Sequence, residues 1–355
     1  MVRVLMKGNE AIGEAAIRAG CRFFFGYPIT PQSEVPEYLA KRFPEVGGLY
    51  LQAESEVAAV NMLYGAGCTG TRVLTTSSSP GISLMSEGMS YIAATEIPVV
   101  FVNIVRAGPG LGGILPSQGD YWQATRGMGH GDFRVLALAP ASVQEAADLV
   151  RLAFDLADKY TNPVMLLGDG IIGQMMEPVD FPEMIDPNSF PEKPWAVTGC
   201  KGREPNILTS LFLDPLVLEQ VNVRLKKKYD RMEAEEKRWE EYNISDDMQL
   251  LVFAYGTVSR IAKTAIDDLA TKGYKIGLFR PISLYPYAYE AAGNAAAKAK
   301  LLMSVELSTG QMVDDVKLSA PGREVHFFGR QGGIIPTPEE VGNELVKLID
   351  SGGEK

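Results

Sequence analysis

The chain has 355 residues, 46% hydrophobic and 22% charged, with a formal net charge of −10, so it exceeds one ordinary core and two domains are expected. That acidity excludes nucleic acid and anionic membrane as natural partners, because both need a basic footprint, and no apolar run approaches a bilayer span. Cys21, Cys68 and Cys200 form no C-x-x-C pair and only His130 and His326 are present, so neither an iron–sulfur cluster nor a structural zinc is expected on this chain.

The N-terminus carries no signal-peptide pattern, and a cytoplasmic protein is expected. Strand-like runs at 22–26, 48–52, 72–76, 98–103, 134–137 and 163–167 alternate with helical ones. A doubly wound, mainly parallel α/β sheet over residues 1–180 follows from that alternation. The clearest helix is 142–158, where Val143, Ala146, Ala147, Val150, Leu152, Ala153 and Leu156 gather towards one face.

From about Gly170 the pattern breaks into a stretch punctuated by Pro178, Pro182, Pro187, Pro191 and Pro194, then a charged helical run over 216–242. In that run Val221, Leu225, Met232 and Trp239 are outnumbered by Lys, Arg and Glu, which predicts a long, mostly solvated helix. Residues 181–247 thus read as a connector. A second, smaller and mainly parallel α/β domain is expected over 248–355, with strands at 249–255, 275–279, 301–305 and 325–328 and helices at 258–271, 289–298, 311–318 and 339–348.

Two segments at strand-to-helix junctions stand out, since ligands bind beyond the carboxyl ends of strands in open α/β sheets. In Gly26-Tyr-Pro-Ile-Thr-Pro31 the two prolines hold the chain extended and present Thr30 at a rigid corner. In Glu54-Ser-Glu56 a carboxylate opens the apolar helical stretch 56–67; taken alone, Glu56 reads as a helix cap that complements the dipole, and chemistry is the sharper alternative. Arg106 borders a loop with four glycines between 108 and 113 and suits a bidentate pair with a carboxylate, or an interdomain salt bridge. The hydroxyl-rich turn Thr75-Thr-Ser-Ser-Ser-Pro-Gly81 precedes a helix and suits a polar ligand, or is simply a capped turn.

Two motifs mislead. Gly108-Pro-Gly110-Leu-Gly-Gly113 satisfies G-x-G-x-x-G, but Pro116 and Gly119 leave no room for the helix a dinucleotide needs. Gly168-Asp-Gly170 is similar to the start of a magnesium-diphosphate motif, yet lacks the Asn that completes it at the right spacing, so Asp169 is expected to end a strand and start a turn.

Taken together, Tyr27-Pro-Ile-Thr-Pro31, Glu56 with Gly65 nine residues later, and the Arg106 loop resemble the separate α subunit of the 2-oxoacid:ferredoxin oxidoreductases, over nearly the whole chain. The turn Thr76 to Gly81 looks like the Thr-Ser-Gly-Pro-Gly turn of thiamine-diphosphate enzymes, with Ser for Gly and one extra residue. The resemblance implies a pyrimidine-binding domain over 1–180 and a transketolase carboxyl-terminal-like domain over 248–355. It implies Glu56, Thr30 and Arg106 as catalytic residues, and Glu56, Ile29, Thr30, Ser79 and Pro80 as the border of thiamine diphosphate. Glu56 would bond a ring nitrogen of the aminopyrimidine and must carry or share a proton. Thr30 would donate to the substrate oxygen, and Arg106 would pair with its carboxylate.

By the same resemblance, Mg²⁺, the diphosphate half and a [4Fe-4S] cluster come with a β subunit, and further clusters with a small ferredoxin-like subunit beside a γ subunit. No metal is expected on this chain. The products would be acyl-CoA, carbon dioxide and reduced ferredoxin, made from a 2-oxoacid and coenzyme A. A branched-chain substrate such as 3-methyl-2-oxobutanoate is favoured over 2-oxoglutarate or pyruvate; a dinucleotide-dependent dehydrogenase and a non-catalytic scaffold remain as other classes. His130, in the loop Gly127-Met-Gly-His-Gly131, is a further candidate to face substrate, although a loop histidine is usually just exposed.

Overall fold

Continuous apolar strands set the architecture of the first half. The computed structural model describes residues 2–352. Its first elements are β1 (Val2–Lys7), α1 (Gly8–Arg18), β2 (Phe23–Gly26), α2 (Glu34–Arg42), β3 (Leu49–Gln52), α3 (Glu56–Gly67), β4 (Val73–Ser77) and α4 (Pro80–Ala94). They are followed by β5 (Val100–Val105), α5 (Tyr121–Arg126), β6 (Leu136–Leu138), α6 (Val143–Tyr160), β7 (Val164–Asp169), α7 (Gly170–Gln174) and β8 (Met176–Phe181). Every residue of β4, β5 and β7 is buried, as expected of central parallel strands covered on both faces. Helices α1, α2 and α6 cover one face through Ile12, Ile17, Leu39, Val150 and Phe154. Helices α3 and α4 cover the other through Val60, Leu63, Ile82 and Met85.

The second half contains α8 (Pro215–Glu235), β9 (Trp239–Tyr242), β10 (Met248–Phe253), α9 (Gly256–Ala270), β11 (Ile276–Pro281) and β12 (Ser283–Tyr285). Then come α10 (Tyr289–Ala297), β13 (Ala299–Glu306), α11 (Val313–Ser319), β14 (His326–Gly329) and α12 (Pro338–Asp350). The first sheet has the order β12-β6-β7-β5-β4-β2-β3, parallel except for β12. The second has the order β14-β13-β10-β11-β9, parallel except for the edge strand β9. This matches the expected α/β class with two mainly parallel sheets. One apolar core runs from α3 and α4 into the face of the second sheet that carries α10 and α11, so the sheets are joined by packing as well as by chain.

Three elements depart from the sequence reading. The run 216–242 is not one helix: α8 stops at Glu235, and Trp239–Tyr242 pairs antiparallel with β11. Ion pairs made in the fold decide this. Buried Arg280 on β11 takes Glu240 at 2.7 Å and Glu145 at 2.8 and 2.9 Å, and Glu236 is tied to Lys159, Tyr160 and Arg238. Those partners draw 236–242 away from the helix that its composition favours. The buried stripe of α8 is Val221, Leu225, Tyr229 and Met232, whereas Trp239 is exposed. Finally, β1 and β8 form a two-stranded antiparallel ribbon, a pairing of distant segments with no local turn to announce it. Among the described residues no helix is long and apolar enough to cross a membrane.

Candidate active site

The sheet order places β3, β2, β4 and β5 side by side and parallel, so their carboxyl ends share one edge. Each expected site residue follows one of them: Ile29 and Thr30 after β2, Glu56 after β3, Ser79 and Pro80 after β4, and Arg106 after β5. Side chains tie the corners together. Thr75 Oγ1 donates to the Phe25 carbonyl at 2.6 Å and Thr76 Oγ1 to the side-chain oxygen of buried Gln32, which fastens β4 to the Tyr27–Pro31 corner.

Arg106 and Thr30 meet directly. Arg106 Nη1 donates to the Thr30 carbonyl and Nη2 to the Leu111 carbonyl, both at 3.0 Å. These bonds set the guanidinium across the glycine loop, and its buried Nε is left without a partner. Among the described residues no salt bridge claims it, so the interdomain-bridge reading finds no support there. The Thr30 side chain is exposed and makes no hydrogen bond among the described residues.

Glu56 is 6% exposed and its carboxylate accepts no hydrogen bond among the described residues. Capping does not explain it. The cap of α3 is Ser55, whose Oγ accepts from Ala58 N–H at 3.2 Å. What lies beside the carboxylate is Gly81, where a Cβ would come within 2.6 Å of Glu56 Oε1 and 2.1 Å of Ser77 Oγ. Only glycine leaves that space open. The hydroxyls of Ser77 and Ser78 are also buried without partners. Buried polar atoms are normally satisfied, so the orphaned Ser77 Oγ, Ser78 Oγ and Arg106 Nε at one sheet edge make this a candidate place for a ligand or partner to supply the missing bonds.

The sequence reading missed Asn103, Asp120 and Gln32. Asn103 interrupts the apolar strand Val-Phe-Val-Asn-Ile-Val, a polar residue at zero exposure, and that interruption was its available signal. Its Oδ1 accepts from Ser79 N–H at 3.0 Å, and its Nδ2 donates to Asp120 Oδ2 at 2.9 Å. Ser79 Oγ donates to the same Asp120 oxygen at 2.6 Å. Burial pushes the Asp120 carboxyl above the usual carboxylate range, against the opposing pull of those two donors.

The two misleading motifs are ordinary structure. After Gly113 the chain forms an isolated bridge between Arg106 and Pro116, and the next helix starts only at Tyr121. Asp169 ends β7 and caps α7 by accepting from Ile171 and Ile172 N–H, with Thr257 Oγ1 donating to it at 2.9 Å. His130 is exposed, and only its carbonyl is engaged, by Ser90 Oγ at 2.8 Å. Among the described residues no group of three or more His, Cys, Asp or Glu could hold a metal. A cleft of about 810 Å³ lies at the opposite, amino-terminal edge of the strands, but two of its three cations, Arg72 and Lys193, are neutralised by Asp155 and Asp158. The expected site residues lie at the open edge and not in that cleft.

Comparison with known proteins identifies the family. The family model of the thiamine-diphosphate-binding domain of pyruvate flavodoxin/ferredoxin oxidoreductases matches residues 14–242, and that of pyruvate:ferredoxin oxidoreductase core domain II matches 249–341. The ketoisovalerate oxidoreductase subunit VorB of Methanothermobacter marburgensis is 47% identical, with 100% of this chain and 99% of the relative covered. The 2-oxoglutarate synthase subunit KorA of Methanocaldococcus jannaschii is 36% identical over 95% of this chain and 97% of its own. Among solved structures, the 2-oxoglutarate:ferredoxin oxidoreductase of Magnetococcus marinus superposes with a TM-score of 0.87 at 26% identity, covering 98% of this chain and 65% of that one. The unfilled strand edge and these matches lead to one assignment: the chain belongs to the 2-oxoacid:ferredoxin oxidoreductases, as a subunit built on their thiamine-diphosphate-binding domain.

Proposed function

We propose that this chain is the α-type subunit of a ketoisovalerate:ferredoxin oxidoreductase and holds the pyrimidine half of thiamine diphosphate. The observation that carries the reading is Glu56, buried beside the Gly81 gap with no partner among the described residues while Ser55 does the capping. Residues 1–180 would be the pyrimidine-binding domain, 181–247 the connector and 248–355 the transketolase carboxyl-terminal-like domain. The fit to the cofactor rests on this chain's own groups: Glu56, the orphaned Ser77 and Ser78 hydroxyls, and the flanking Ile29, Thr30, Ser79 and Pro80.

Thiamine diphosphate, once bound, supplies the carbon nucleophile for the 2-oxo group and the sink for the electron pair left by carbon dioxide. Glu56 would hold a proton towards a ring nitrogen of the aminopyrimidine, in a setting where little water competes for it. Arg106 Nε and the Thr30 hydroxyl receive the substrate carboxylate and oxygen, the guanidinium being already oriented by the Thr30 and Leu111 carbonyls. Pre-orientation of this kind lowers the entropy lost on binding. Coenzyme A takes the acyl group, and two electrons pass singly to ferredoxin. A β subunit would bring the diphosphate site, Mg²⁺ and a [4Fe-4S] cluster, with γ and small ferredoxin-like subunits completing the complex. Exposed Tyr27, Leu51 and Val57 near the site suit burial against such a partner.

Identity falls from 47% for the ketoisovalerate relative to 36% for a 2-oxoglutarate relative and 29% for a pyruvate synthase subunit PorA, which supports the branched-chain preference. The test is viologen reduction by the reconstituted complex across a panel of 2-oxoacids, with wild type and Glu56→Gln. The highest kcat/KM is expected for ketoisovalerate and near-complete loss for E56Q. Equal rates on dicarboxylic acids remove the substrate preference; a fully active E56Q removes the thiamine role.

A further inference from the structure

The corner between β4 and α4 turns on Ser79, a non-glycine residue held at φ 23° and ψ −82°, where L side chains rarely settle. A compact polar network holds it there. Asn103 Oδ1 takes the Ser79 N–H at 3.0 Å, and Ser79 Oγ both donates to Asp120 Oδ2 at 2.6 Å and accepts from the Arg106 N–H at 3.1 Å. Asn103 Nδ2 reaches the same Asp120 oxygen at 2.9 Å. One carboxylate oxygen therefore ties the end of β5, from which Arg106 departs, to the corner between β4 and α4.

Asp120 is itself anchored from the second sheet. Gln118 N–H donates to the Leu307 carbonyl at 2.8 Å, and Leu307 N–H returns a bond to Gln118 Oε1 at 2.9 Å. Tyr121 OH donates to Asp315 Oδ2 at 2.7 Å, Trp122 N–H to Gln311 Oε1 at 2.8 Å, and Gln311 Nε2 to the Gly119 carbonyl at 2.7 Å. Both residues flanking Asp120 are thus held by the second sheet unit, and its carboxylate passes that constraint to the site.

We propose that Asp120 is a positioning residue for the 2-oxoacid: acting through Ser79 and the Arg106 backbone, it fixes the base of the arginine that receives the substrate carboxylate. The inference rests on the reading of Arg106 given above. Asp120 touches neither substrate nor cofactor in this role. Removing it lets the Ser79 corner relax, and the cost falls on substrate affinity before turnover.

The experiment is a double-mutant cycle in the assembled complex, reading KM and kcat for ketoisovalerate with Arg106→Ala, Asp120→Ala, Asp120→Asn and the double alanine variant. D120A is expected to raise KM about tenfold with kcat changed less than about threefold, and to add nothing to R106A in the double variant. D120N keeps an acceptor for both donors and is expected to restore most of the affinity, which a need for charge alone would not allow. Cofactor stoichiometry should stay at the wild-type value throughout. An unchanged KM in D120A beside a raised KM in R106A overturns the inference alone, as do fully additive effects. If R106A itself leaves KM unchanged, the reading of Arg106 falls first and this inference with it. Should D120A fail to assemble, Asn103→Ala, which removes the bridge between Ser79 and Asp120, enters the same cycle, with the same non-additive rise expected and additivity again decisive against the proposal.

Discussion

Two buried glutamates, each between a parallel strand and the helix after it, have opposite fates. Glu306, at the end of β13 and 1% exposed, accepts five hydrogen bonds: Ser304 Oγ at 3.0 Å and Val313 N–H at 2.8 Å on one oxygen, and Ser308 Oγ at 2.8 Å, Gln311 N–H at 2.9 Å and Met312 N–H at 3.1 Å on the other. Glu56, 6% exposed at the first position of α3, accepts none among the described residues. Burial alone therefore does not separate a structural carboxylate from a functional one. Satisfaction does: a buried charge without donors costs free energy that the fold tolerates only where something else completes the site.

The largest effects test this contrast directly. Glu56→Gln should cut ketoisovalerate-dependent viologen reduction by roughly 10²–10⁴-fold, the range for a lost proton-transfer group, and leave the melting temperature of the complex nearly unchanged. Glu306→Gln should do the reverse in calorimetry. An amide places a donor where the carboxylate accepts backbone N–H groups, and the loss of charge-assisted bonds should cost about 3 kcal/mol with little direct effect on chemistry. If E56Q melts early and E306Q does not, the roles assigned to the two residues are interchanged.

A middle-sized test uses two glycines of the same region. At Gly81 an added methyl meets Ser77 Oγ at 2.1 Å and Glu56 Oε1 at 2.6 Å, so Gly81→Ala should weaken thiamine diphosphate binding by about 1–3 kcal/mol, measured by cofactor titration of the complex. At Gly65, on the exposed side of α3, an added methyl meets nothing within 4 Å. Gly65→Ala should raise stability by about 0.5–1 kcal/mol and spare cofactor binding, as for any alanine replacing glycine inside a helix. Equal losses at both positions would show that the gap beside Glu56 is not special.

What was legible in the sequence divides along the same line. Thr30, Glu56 and Arg106 could be singled out because each follows the carboxyl end of a strand that its hydrophobic residues mark, where ligands gather in open α/β sheets. The strands at 98–103 and 163–167 were readable for the same reason, being buried on both faces. Asp120 was not, because its importance comes from Ser79 and Asn103, 41 and 17 residues away. The β1–β8 ribbon and β9 escaped because their partners are equally remote: periodicity records which face a segment buries, not what it pairs with. Trp239 looked like part of a helical stripe until Arg280 and its carboxylates placed it on a strand.

The smallest effect concerns Asp120, which lies between the two glutamates in kind, with two donors on one oxygen and no cation in contact among the described residues. Because burial raises its folded pKa above the unfolded value, the native state binds the proton more tightly than the unfolded chain does. Its contribution to stability is then full below the ordinary carboxylate range and is lost as pH rises through the raised value. Asp120→Asn does not titrate, so its melting temperature minus that of wild type should grow from acid to neutral pH, by less than any shift above. The slope has a diagnostic sign. A difference that instead shrinks as pH rises would mean that the folded pKa is lowered in the assembled complex, as a partner cation placed against the free Asp120 oxygen would make it, and the Ser79 corner would then be set from two subunits and not from this chain alone.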